Sequence, residues 1–145
     1  MKKTFLILTL LCLTFVLSAQ DYELYKCSRS GFRYKNDNRS WSQWAFSEVD
    51  MILRLCIKEN KLEFNNNNKT VFYFNFKLLN ESGVDKDNDK WTKVIWSGFD
   101  DDGLKCNLVS IDYPELTNRN FVLEYFDYEF IFECIILNPF KNTSI

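Results

Sequence analysis

Apolar residues recur at every second position along most of this chain. Over residues 70–79, Phe72, Phe74, Phe76 and Leu78 alternate with Tyr73, Asn75 and Lys77. Over 50–58, Met51, Leu53, Leu55 and Ile57 share one face, and Asp50, Arg54 and Lys58 the other. Over 128–136, Tyr128, Phe130, Phe132, Cys134 and Ile136 oppose Glu129 and Glu133. A period of two marks half-buried antiparallel strands, and no stretch carries a helical face. Turn chemistry separates the runs at 35–38, 59–60, 65–68, 80–89, 100–103 and 114–118. Phe121, Leu123 and Tyr125 are apolar at odd positions, whereas after Asp127 the apolar positions are even. This flip of face predicts a tight hairpin at 126–128.

The pattern predicts about eight strands, near 22–28, 39–46, 50–58, 61–65, 70–79, 90–99, 104–112, 120–126 and 128–137, the fourth short enough to merge with a neighbour. Short connections predict an antiparallel meander. A small barrel is favoured over a two-layer sandwich, because closure removes exposed strand edges.

The first nineteen residues read as a leader outside this all-β domain of residues 20–145. Met1-Lys2-Lys3 is basic, Phe5 to Leu17 is apolar, and Ser18-Ala19 precedes Gln20, the layout of a secretory signal peptide cut after Ala19. The apolar run is shorter than the roughly 20 residues a spanning helix needs, so no membrane span is expected after cleavage. The expected destination is secreted or periplasmic. Lys2 and Lys3 leave with the leader, making the mature chain more acidic than the full chain's net −2. The remaining Lys and Arg are scattered, which argues against nucleic acid as a partner.

Composition narrows the chemistry further. The 145 residues include no His and 4 Gly, which excludes imidazole catalysis and His-ligated zinc and disfavours phosphate-cradling loops. No cofactor or metal is expected. Four cysteines remain after cleavage, Cys27, Cys56, Cys106 and Cys134, and an even number in an exported chain predicts disulfides. Shared apolar faces make Cys106–Cys134 the first choice, with Cys27–Cys56 left over. A Cys27–Cys134 link would instead mean that the first and last strands close a barrel.

Three constellations are candidates for function. The acidic turns 85–89 and 100–103 resemble calcium loops in their alternating carboxylates but lack the EF-hand Gly and Glu positions. They bracket one strand, so they belong at opposite ends of the sheet. Trp41 and Trp44, three apart, and Trp91 and Trp96, five apart, are expected on opposite faces of their strands, leaving one of each pair to stack on a sugar or anchor a protein. Glu124 and Glu129 flank the last hairpin with Glu133 beyond, and read as outward charges keeping a strand edge soluble.

Trp41-Ser-Gln-Trp44, the Trp91 to Trp96 strand, Asp100-Asp-Asp-Gly103-Leu-Lys-Cys106 and Tyr125-Phe-Asp-Tyr128 together resemble small exported bacterial all-β proteins of unknown function, a resemblance that implies no activity. Tyr25-Lys-Cys27-Ser-Arg-Ser-Gly31 also resembles the first strand of small periplasmic inhibitors of lysozyme. The expected function is therefore a non-enzymatic binding module for a protein or glycan. The alternatives are an inhibitor of a lysozyme-type or protease-type enzyme, a lipocalin-like carrier of a small apolar ligand, and a small hydrolase using carboxylates alone.

Overall fold

The structure, a computed structural model, describes residues 22–66 and 68–138. The expected leader at 1–19, its cleavage point and the side chain of Phe76 lie outside the described residues. Eight antiparallel strands follow one another: β1 (Glu23–Tyr34), β2 (Ala45–Cys56), β3 (Lys61–Asn66), β4 (Asn68–Val84), β5 (Lys90–Asp100), β6 (Lys105–Tyr113), β7 (Asn118–Glu124) and β8 (Tyr128–Asn138). Each pairs with the next, and β8 returns to β1, so the meander closes into a barrel.

The alternation read from the chain becomes inside and outside. Tyr25, Leu53, Leu55, Leu62, Phe72, Leu108 and Phe121 point inward and are almost fully buried. Phe64 meets Phe132 at 4.8 Å, Phe74 meets Trp96 at 5.4 Å, and Tyr25 meets Phe121 edge-on at 4.9 Å. Eight strands enclose a space that side chains can fill, and these aromatics fill its middle. The outer wall carries cross-strand ion pairs such as Arg29–Glu133 and Lys93–Glu81. The same wall also exposes Phe46, Tyr73, Phe99, Ile135 and Leu137.

Three expectations are corrected. The strand expected over 39–46 does not form across its tryptophans: residues 36–40 make a turn in which Asn36 N–H donates to Ser40 O and Arg39 N–H to Asn36 O, both at 2.8 Å. Regular pairing resumes only at Ala45, and β2 runs unbroken through 47–49, the gap between the strands expected over 39–46 and 50–58. The 80–89 segment is not one long loop, since β4 continues to Val84 and only 85–89 turns. The even-numbered apolar face of β4 is also lost by Leu78. Bulges at Phe74/Phe76 and Lys77/Leu79 shift its register, and Leu78 is left exposed. The hairpin expected at 126–128 is present, with Tyr125 N–H donating to Tyr128 O at 2.9 Å.

Candidate recognition surface

Because strands alternate in direction, one end of the barrel gathers the β1–β2 loop with the β3–β4, β5–β6 and β7–β8 turns. This end is aromatic. Register places Phe32 opposite Phe130 and Tyr34 opposite Tyr128 across the β1–β8 seam. Their rings form a continuous group: Phe32 lies 5.1 Å from Phe130, Tyr128 lies 5.7 Å from Phe130, and Tyr125 stacks on Tyr128 at 4.5 Å. Unlike the rings deeper in the barrel, Tyr34 stays 52% exposed and Phe32 37%. Phe126, at the tip of the last hairpin, is 83% exposed. Beside them, Tyr34, Lys35, Asn36, Asp37 and Asn38 line a depression of about 610 Å³.

The loop framing this surface is held by its own side chains. Asn38 Oδ1 accepts from Ser40 N–H at 3.0 Å and Ser40 Oγ at 2.6 Å, and Arg39 takes a φ of 65°. Such a loop is ordered before any partner arrives, which lowers the entropy lost on binding.

The loop also moves both early tryptophans to one place. Trp41 and Trp44 are not on opposite faces; their rings lie 4.8 and 4.4 Å from the Arg33 guanidinium. Lys35 caps the arrangement, 5.0 Å from Trp41 and 4.7 Å from the Phe126 ring. Arg33 in turn pairs with Glu129 at 2.5 Å, its register partner on β8. The offset of three predicted opposite faces only for a regular strand, and the turn at 36–40 removes that condition. Trp91 and Trp96 do lie on opposite faces: Trp96 packs inward on Phe74, and Trp91 lies against Gly83 on the neighbouring strand.

Glu124 and Glu129 are not solubilising charges on a free edge, since the closed barrel has none. They are direct register partners across β7–β8, and Glu129 is only 6% exposed. Burial, then the facing Glu129 carboxylate, pushes the Glu124 carboxyl above its ordinary value near 4.5, while Asn107, Lys93 and Arg33 pull it back. A carboxyl held up in the folded state binds more protons there than in the unfolded chain. Stability should therefore fall as pH rises from about 4.5 through the raised value. Glu124→Gln is expected to flatten that slope and to raise stability at pH 7, read from urea midpoints between pH 4 and 8. A variant with the same slope as the natural chain would refute this.

The opposite end is closed by ions instead of rings. Arg119 bonds Glu23 and Asp112 at 2.8 and 2.9 Å and donates to the Tyr25 hydroxyl, which donates to Glu23. Burial pushes the Tyr25 hydroxyl well above the usual phenol range. This cluster was missed from sequence, although Arg119 continues the odd-numbered inward series of Phe121 and Leu123.

The acidic turns sit at opposite ends of β5, as their spacing required. Asp85 Oδ1 accepts the N–H groups of Asp87 and Asp89 at 2.9 and 3.0 Å. Asp100 Oδ1 accepts those of Asp102 and Leu104 at 3.1 and 2.8 Å, and its Oδ2 accepts from Tyr125 at 2.9 Å. These two leading carboxylates hold the turns together. Among the described residues, no group of three or more acids or cysteines is placed to hold a metal.

Fold and surface together define the class: a closed eight-stranded antiparallel meander barrel with a filled interior, one ionic end and one aromatic end. No family model, curated protein or solved structure matches the chain.

Proposed function

We propose that this protein is an exported, non-enzymatic binding module that docks a partner protein through the aromatic end of its barrel. The carrying observation is the register ladder of Phe32 with Phe130 and Tyr34 with Tyr128, in which Tyr34 and Phe32 remain exposed. Tyr, Trp and Arg are the residues that dominate protein interfaces, and here they share one end with a pre-ordered loop. The filled middle of the barrel supports recognition at this surface over a lipocalin-like carrier, which needs room inside. The Glu124–Glu129 pair does not favour a hydrolase, because Arg33 occupies Glu129 and both side chains lie on the outer wall. Export rests on the leader-like segment before Gln20.

The test is retention of exported proteins on the immobilised chain, compared with a Tyr34→Ala/Phe126→Ala variant and with Tyr113→Ala at the ionic end. One protein should be held by the natural chain and by Tyr113→Ala, and lost at least about tenfold by the aromatic variant, the equivalent of ~1.4 kcal/mol. Equal retention by all three, or none by any, would overturn the proposal, and binding to a glycan array by the same end would reassign the partner class.

A further inference from the structure

The β1–β8 ladder differs from every other in the barrel because its strands lie at the two ends of the domain sequence. The other seven ladders join consecutive strands. Closing the seam therefore orders a loop containing nearly the whole barrel, the largest closure entropy in the fold.

Two cysteines meet across that seam. Cys27 of β1 is the register partner of Cys134 of β8. Directly opposed residues of an antiparallel pair hold their Cα atoms about 4.5–5.5 Å apart, inside the ~4.4–6.8 Å range of disulfides. Both belong to the core cluster, so both side chains face the interior. The other pairings fail on register. Cys134 lies opposite Arg119, and Arg119 opposite Asp112; Cys106 is six residues from that level, roughly 20 Å along the barrel and two strands away. Cys56 lies five residues beyond Met51, the β2 partner of Cys27, roughly 17 Å off. Cys56 and Cys106 themselves sit at opposite ends of the barrel. The expectation of Cys106–Cys134 with Cys27–Cys56 is thus corrected by the topology.

We infer that Cys27 and Cys134 are a disulfide-forming pair that locks the closing seam in the presence of a disulfide donor, while Cys56 and Cys106 stay thiols. All four are thiols in the structure, so the lock is the oxidised form of this arrangement. One of the two cysteines loses its proton and, as a thiolate, attacks one sulfur of the donor disulfide, forming a mixed disulfide and expelling the other donor sulfur as a thiolate. The second cysteine then gives up its proton and attacks the first one's sulfur, releasing the second donor thiolate. Two cysteine sulfurs are oxidised, the donor disulfide is reduced to two thiols, and the two protons pass to the donor. The ladder is already interrupted beside the pair, by the bulge between Cys27 and Arg29. On the outer wall beside the seam, Ser28, Glu133 and Cys134 help line a groove of about 390 Å³.

The inference is independent of what the aromatic end binds. Its test is refolding of the reduced chain in a glutathione and glutathione-disulfide buffer, then alkylation and peptide mapping without reduction. A peptide joining Cys27 to Cys134 is expected, with Cys56 and Cys106 alkylated. Alkylated Cys27 and Cys134, or a bridge from either to another cysteine, overturns it. A Cys56→Ala/Cys106→Ala variant gives the energetic readout: adding dithiothreitol after oxidation should lower its folding equilibrium constant by about thirtyfold or more. An unchanged urea midpoint overturns the lock.

Discussion

Gly98→Ala is expected to destabilise the barrel by about 3 kcal/mol, a large share of the ~5–15 kcal/mol that holds a typical domain folded. A Cβ at Gly98 would lie 2.0 Å from the Tyr73 carbonyl oxygen and 2.8 Å from both Phe74 Cα and the Phe72 ring. Two of those atoms are backbone of the paired strand, so no rotamer change relieves the clash. The site faces the bulge at Phe74/Phe76, where β4 bends and brings its main chain over β5. Gly103→Ala is the control: its Cβ would meet nothing within 4 Å, but its φ is +81°, so only a cost of about 1 kcal/mol is expected. Urea unfolding of the two variants measures the difference. Equal, small losses would show that β4 and β5 are not so close.

Arg33→Met should cost about 3 kcal/mol at neutral pH, the second large effect. It leaves the buried Glu129 carboxylate without its cation, directly opposite Glu124, and removes the guanidinium that Trp41 and Trp44 grip. Breaking one side of a buried pair leaves an uncompensated charge, whereas removing both sides is far milder. Arg33→Met/Glu129→Gln is therefore expected to recover most of the loss in a double-mutant cycle. The single variant should also loosen the 36–44 loop, seen as faster amide exchange there, and so weaken capture at the aromatic end. A double variant no more stable than Arg33→Met alone would mean that the pair is not the source of the cost.

The same ion pair marks where reading the sequence stops. Arg33 falls outside every alternating run, and its role depends on a partner 96 positions away in the chain. The Glu124–Glu129 juxtaposition was closer to hand. The predicted hairpin put both residues beside the turn, but reading them as edge charges assumed an open sheet. The tryptophans show the converse error: a rule valid for regular strands was applied where Asn36, Asn38 and Ser40 build a turn. The cysteine pairing failed because shared apolar faces say nothing about height along a barrel.

What the sequence determined by itself was local: strand alternation, the buried face of the regular strand stretches, the hairpin at 126–128, and the placement of the two acidic turns at opposite ends of one strand. These follow from a side-chain period of two and from turn residues, which act over a few neighbours. The tertiary structure decided which distant residues share a height and a wall. Closure of β8 on β1 set Cys27 against Cys134, Arg33 against Glu129, and Phe32 and Tyr34 against Phe130 and Tyr128. The bulges at Cys27/Arg29 and in β4 fixed the registers that no local pattern encodes. A register slip of one residue would exchange inside for outside, so the aromatic end and the thiol seam exist only once the whole barrel has closed.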